Sequence, residues 1–117
     1  MTTILVLDDD QVILDLLRTV LTDAGYDTLV APGLHEIPPG TNAEIVITDL
    51  VPLKAYRRET ALEWIGSLRA RFADSPLLVV TAHAEAVAET DMLGANAIIA
   101  KPFDVDVLLA KLDELLA

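Results

Sequence analysis

A chain of 117 residues, 53% hydrophobic and 23% charged, has the length of a single domain and ample material for one buried core. Its net charge of -11, with 8 Lys and Arg against 19 Asp and Glu, opposes the phosphate contacts that nucleic-acid binding needs, and the lack of cysteine removes disulfide and thiol chemistry. No apolar run approaches the roughly 20 residues of a membrane span, and no secretory signal is legible because Asp8 interrupts the first apolar run, so a cytoplasmic location is expected.

Apolar blocks of strand length alternate with stretches of helical period. Residues 2–7 read as a strand. Val12, Ile13, Leu16, Leu17, Val20 and Leu21 then recur at helical spacing, with Asp10 as the expected cap and Gly25 as the stop. A short strand over 28–31 follows. The stretch 32–40 holds three prolines and two glycines, which permits one turn of helix at most before a strand over 44–48. Residues 50–58 read as a loop, and a helix over 59–72 presents Leu62, Ile65, Leu68 and Phe72, with Trp64 on its flank. A strand over 77–81 leads to an alanine-rich helix over 84–93 closed by Gly94. The last strand covers 97–100, and Asp104 caps a helix carrying Val107, Leu108, Leu112, Leu115 and Leu116.

Four of the five strands lack in-out alternation, which indicates an α/β fold with a parallel sheet covered on both faces. In such sheets ligands bind beyond the carboxyl ends of the strands, where strand order reverses. Every chemically interesting residue lies at such an end: Asp8, Asp9 and Asp10 after the first strand, Asp49 after the third, Thr81 after the fourth and Lys101 after the fifth. Like charges gathered at strand ends are costly and point to a cation or a phosphoryl group.

The run Ile4 to Asp10, the strand end Ile47-Thr48-Asp49-Leu50, Val79-Val80-Thr81-Ala82, and Gly94-Ala95 leading to Ala100-Lys101-Pro102-Phe103 resemble the receiver domains of two-component response regulators. The specificity lies in the ordered combination, and the resemblance covers the whole chain. It implies a five-stranded flavodoxin-like sheet of order 2-1-3-4-5, here with a shortened second helix, and one receiver domain spanning residues 1–117. Asp49 matches the phosphoacceptor, taking its phosphoryl group from a sensor histidine kinase or a histidine phosphotransfer protein. Thr81 and Lys101 match the residues that contact the phosphoryl oxygens. Mg²⁺ is the implied cofactor, held by Asp9, Asp49 and the Val51 backbone carbonyl, with Asp8 acting through a metal-bound water. Hard oxygen ligands suit that ion, and phosphoryl transfer rests on positioning and charge stabilisation. The resemblance also makes Lys101-Pro102 a candidate cis peptide. It implies a signalling switch that catalyses only its own phosphorylation and dephosphorylation. Because the chain ends at Ala117, just after the last helix, no output domain is expected within it.

Taken singly, Asp10 is best read as a helix cap, Thr81 as a β-branched strand residue and Lys101 as a surface lysine; Asp49 has no comparable structural role. His35 and His83 lack companion ligands, although His83 lies where the family tunes the lifetime of its acyl phosphate. Ile98 replaces the switch aromatic commonly found three residues before the lysine, so output through a rotating ring is not expected. Pro52 comes one residue early and an insertion runs through Thr60. Its Lys54, Arg57 and Arg58 are expected to be solvated. The proline-interrupted crossover is expected to expose apolar surface to a partner or to a second copy of the chain. Two rivals differ in class. Asp8 and Asp10 also resemble the first motif of haloacid-dehalogenase-type phosphatases, as nucleophile and general acid, with Thr81 and Lys101 as later motifs; that reading leaves Asp49 idle and supplies no further acidic motif for magnesium. A pseudo-receiver would keep the fold as a binding module without phosphorylation.

Overall fold

A computed structural model describes residues 2–51 and 53–117; the expectation for Pro52 lies outside the described residues. Five strands, β1 (Thr3–Leu7), β2 (Asp27–Ala31), β3 (Ile45–Thr48), β4 (Leu77–Thr81) and β5 (Ala97–Ala100), form one parallel sheet in the order β2-β1-β3-β4-β5. Strand β1 pairs Ile4 with Thr28 on one side and with Ile45 on the other, and Thr81 pairs with Ala100. The chain therefore reverses its direction of winding between β1 and β3. The crevice for a ligand opens at that point.

Strands β1, β3 and β4 are apolar on both pleats because both are covered. Ile4, Val6, Ile45, Ile47, Leu78 and Val80 meet helices α1 (Gln11–Asp23) and α4 (Val105–Leu116) through Leu14, Leu17, Leu21, Leu108 and Leu112. On the opposite pleat, Leu5, Leu7, Val46, Leu77 and Val79 meet α2 (Arg58–Arg71) and α3 (Ala84–Val87) through Ala61, Ile65, Leu68 and Ala86. Each such leucine contributes on the order of 1.5–3 kcal/mol by leaving water. The edge strand β2 alternates exposed and inward residues, as one solvated face requires.

Helix ends follow the expected chemistry. The Asp10 carboxylate accepts from the Val12 amide at 2.9 Å, and Asp104 accepts from the Asp106 amide at 2.7 Å. Gly25, at φ 96°, closes α1 while Tyr26 N–H donates to the Leu21 carbonyl and Gly25 N–H to that of Thr22. That pair is a Schellman motif, which needs a left-handed residue where glycine carries no penalty.

Two expectations need correction. On α1 the buried side chains are Leu14, Leu17 and Leu21, whereas Val12 is 73% exposed and Leu16 also faces solvent. Spacings of one, three and four fit two overlapping stripes, and the sheet takes the one centred on Leu14. Leu62 and Val107 are likewise turned partly to solvent, at 38% and 54% exposure. The helix expected over 84–93 stops at Val87 and resumes only as a 3-10 turn, Met92–Gly94, in which Met92 and Leu93 have φ of 53° and 56°. The shortened crossover is a 3-10 turn at Leu34–Glu36, as its prolines dictate, and Leu29 of β2 beside it remains 39% exposed. Ile37 is buried, and the Arg71 guanidinium donates to the carbonyls of Leu34, Ile37 and Pro38 at 3.2, 3.1 and 2.9 Å, fastening the segment to the end of α2.

Candidate functional site: an acidic pocket braced by a lysine

The site lies at the carboxyl end of the sheet. The Asp8 amide continues the β1–β2 ladder by donating to the Ala31 carbonyl, and the Asp49 amide donates to the Leu7 carbonyl at 2.8 Å. Both aspartates are thus fixed by backbone pairing before their side chains are considered. Asp8, Asp9 and Asp49 each offer a carboxylate oxygen within 4.8 Å of the others. Asp9 is exposed, Asp8 is buried and Asp49 lies between.

The cation opposite them comes from β5. The Lys101 amide donates to the Thr81 carbonyl at 2.8 Å, and the Lys101-Pro102 bond is cis, as expected. The ammonium donates to Asp8 Oδ2 at 2.7 Å and to Asp49 Oδ2 at 3.1 Å, with side-chain exposures of only 17%, 3% and 19% for Lys101, Asp8 and Asp49. The remaining oxygens are also engaged: Asp8 Oδ1 accepts from the Asp10 amide and Asp49 Oδ1 from the Leu50 amide, at 2.9 and 2.8 Å. Burial drives the Asp8 pKa above 3.8, and the Asp49 charge adds to the rise, against the opposing bonds from Lys101 and the Asp10 amide. Burial acts on Lys101 in the opposite sense, but the bond to Asp8 and the charge and bond of Asp49 outweigh it and hold the ammonium above 10.5. Lys101 is thus a partly buried counter-ion and not the solvated surface lysine that it would be if taken singly. One cation faces three carboxylates, an excess of negative charge that suits a divalent metal.

Thr81 is fully buried at the end of β4, and its Oγ1 accepts from the His83 amide at 3.1 Å. Val51 lies in the turn that follows Asp49. Asp10 caps α1 and is exposed, which leaves it no general-acid position in a pocket. His35 sits in the crossover turn and is not among the clustered carboxylate ligands, and Ile98 packs on the α2 face of the sheet.

Lys54 and Arg57 are exposed, as expected of a solvated basic loop, but Arg58 is engaged. It opens α2, one residue before the expected start, and donates to Glu89 Oε2 at 2.7 Å and to Asp91 Oδ2 at 2.6 Å. Tyr56 Oη donates to the same Glu89 oxygen at 2.6 Å, and its ring lies 6.2 Å from that of His83. Burial and the Glu89 bond push the Tyr56 hydroxyl up to about 12, while Arg58 and the Leu93 amide pull Asp91 down to about 2. Sequence reasoning missed these partners, and it missed Trp64, whose Nε1 donates to Thr48 Oγ1 at 3.0 Å. Their only sequence signal was an aromatic or basic residue without an assigned role.

A doubly wound parallel sheet with an acidic, lysine-braced crevice at its topological switch point defines a flavodoxin-like domain with a candidate metal or phosphoryl site. The chain belongs to the response regulator receiver domain family, whose model matches residues 4–113. It is 31% identical over 96% of its length to the transcriptional regulatory protein KdpE of Mycobacterium tuberculosis H37Rv, covering 50% of that protein. It is 34% identical over 97% of its length to the response regulator MprA of Mycobacterium sp. strain KMS, again covering 50% of it. The chain therefore spans about half the length of these curated relatives. Among solved structures, the response regulator TrrA of Thermotoga maritima, in complex with Mg²⁺-BeF, aligns with a TM-score of 0.81 at 28% identity, over 99% of this chain and 100% of that one. The acidic group Asp8, Asp9 and Asp49 fits the family's phosphorylation pocket, and the receiver reading prevails over a phosphatase that would leave Asp49 idle. No helix among the described residues is long and apolar enough to cross a membrane.

Proposed function

We propose that Asp49 is the phosphoacceptor of this receiver domain. The observation that carries the proposal is the placement of its carboxylate, tied to Lys101 through Oδ2 and grouped with Asp8 and Asp9. An Asp49 oxygen attacks the phosphorus of a phosphohistidine; the P–N bond breaks, and its electron pair leaves with the imidazole. Hydrolysis of the resulting acyl phosphate releases inorganic phosphate and resets the carboxylate. Lys101 stabilises charge on the phosphoryl oxygens, and the Thr81 hydroxyl, whose lone pair accepts from the His83 amide, uses its proton to donate to one of them.

The donor set fits Mg²⁺: three clustered carboxylates, one of them buried, and a single lysine among them. Asp9, Asp49 and the Val51 carbonyl would hold the ion directly and Asp8 through water. When bound, the metal neutralises the attacking carboxylate and the incoming phosphoryl oxygens. The Mg²⁺-BeF complex of TrrA supports this assignment.

The domain acts as a switch, with no turnover of other substrates, in the cytoplasm. A sensor histidine kinase or histidine phosphotransfer protein supplies the phosphoryl group, and the phosphorylated surface addresses an output partner or a second copy. Residues 1–117 constitute one receiver unit, and output resides in other sequence or in a separate protein. Acetyl phosphate with Mg²⁺ tests the reading. One phosphoryl group should add to the wild type, and none with EDTA or in Asp49→Asn. Steady turnover of phosphate esters dependent on Asp8 would establish the phosphatase instead, and no modification with no Mg²⁺ binding by titration calorimetry would establish a pseudo-receiver.

A further inference from the structure

Thr48 and Trp64 have no role in the phosphoacceptor chemistry described so far. Thr48 breaks the apolar run Ile45-Val46-Ile47, is fully buried, and places a hydroxyl on the pleat facing α2. A buried hydroxyl must be paired, and this one is paired twice. It donates to the Asp49 carbonyl at 2.6 Å and accepts from Trp64 Nε1 at 3.0 Å. An indole N–H can only donate, so it occupies a lone pair of Oγ1 and leaves the single hydroxyl proton for the carbonyl.

That carbonyl belongs to the same planar peptide unit as the Leu50 amide, which donates to Asp49 Oδ1 at 2.8 Å. One end of the 49–50 peptide is thus held by Thr48, and the other end holds the acceptor carboxylate. Rotating the plane would break both bonds at once. The second carboxylate oxygen is held independently by Lys101 at 3.1 Å. Leu50 is itself buried, so the peptide cannot turn outward without unpacking it.

We infer that Thr48 and Trp64 are positioning residues that fix the orientation of the Asp49 carboxylate through the 49–50 peptide plane. The inference rests on Asp49 being the phosphoacceptor and names what holds it in register. Phosphoryl transfer is sensitive to such placement, since its barrier is lowered by alignment more than by bond-making groups.

The test measures phosphorylation of the full chain by acetyl phosphate at saturating Mg²⁺ and donor. Thr48→Val keeps the shape and loses the hydroxyl; its maximal rate should fall about tenfold, the scale of a small misalignment. Thr48→Ser should recover most of the rate. Trp64→Phe keeps ring packing and loses the donor, and should slow the reaction about threefold. The double variant should be no slower than Thr48→Val, because the indole acts only through the hydroxyl. The amide proton resonance of Leu50, bonded to a carboxylate, should shift in Thr48→Val and Trp64→Phe, and this signal needs no phosphorylation. Wild-type rates in both single variants, or additive losses in the double variant with an unmoved Leu50 resonance, overturn the inference while leaving Asp49 as acceptor. Should Thr48→Val not fold, Trp64→Phe and Thr48→Ser decide the matter by the same resonance. A wild type that takes no phosphoryl group at all refutes the underlying reading and this one with it.

Discussion

Among the described residues, the Lys101 ammonium is the cation within ion-pair distance of both Asp8 and Asp49, at 2.7 and 3.1 Å. Replacing it with methionine keeps the apolar stem and removes the charge, leaving two adjacent carboxylates uncompensated. Stripping one partner from a fully buried pair costs about 3–5 kcal/mol, but residual solvent at Lys101 and Asp49 reduces the expected loss to about 2 kcal/mol. For a domain of this size that loss lowers the melting temperature by about 5–10 °C. The pH dependence has a definite sign. The Asp8 pKa is already raised above 3.8, so the folded state binds that proton more tightly than the unfolded chain, and stability falls as pH climbs from 3.8 through the folded value. Without Lys101 the folded pKa rises further and the window widens. Lys101 itself, raised above 10.5, contributes fully at neutral pH and only loses its effect in strong base. Melting curves followed by circular dichroism in EDTA should therefore show Lys101→Met most destabilised at neutral pH, converging on the wild type as the solution is acidified. Added Mg²⁺ should restore much of the deficit. Equal stability at neutral pH, or a deficit that grows on acidification, would refute the charge balance assigned to the site.

The corrected face of α1 makes a paired prediction. Leu14→Ala should cost about 2–5 kcal/mol in chemical denaturation, whereas Val12→Ser should stay within about 0.5 kcal/mol, and comparable losses would restore the stripe read from spacing. Arg58→Ala should speed hydrogen exchange in residues 84–94 while leaving β1 and β3 unchanged, since Glu89 and Asp91 lose their common partner. Because Asp91 is depressed from 3.8 to about 2, the stabilisation it draws from Arg58 is present above 3.8 and lost as pH falls through about 2. Wild type and Arg58→Ala should therefore converge in strong acid; a gap that persists there would remove Asp91 from the clamp.

What was legible in the sequence is what local physics controls. Continuous apolar runs identified buried parallel strands, and residues such as Asp10, Gly25 and Asp104 marked helix ends by satisfying the nearest orphan backbone groups. Prolines in 32–40 foretold the shortened crossover because their restriction needs no partner. The convergence of Asp8, Asp49 and Lys101 followed from their shared place at strand ends, once the strands were taken as parallel. The failures all involve partners distant in the chain. The alanine-rich stretch from Ala84 is locally a good helix, but Asp91 caps the Leu93 amide and Arg58, some thirty residues earlier, holds Glu89 and Asp91 outside helical register. Arg71 reaches the crossover from the far end of α2 and holds the carbonyls of Leu34, Ile37 and Pro38, a tie that the local pattern does not signal. Trp64 was on the expected flank, but its tie to Thr48 depends on how α2 lies across the sheet.

The central claim is that Asp49, and no other carboxylate of the cluster, carries the phosphoryl group. Borohydride reduction of the acyl phosphate after treatment with acetyl phosphate and Mg²⁺, followed by peptide sequencing in a mass spectrometer, reads the modified position directly. Homoserine should replace aspartate at position 49 alone, and the signal should vanish with EDTA. Homoserine at Asp8 or Asp9 with Asp49 untouched would contradict the account.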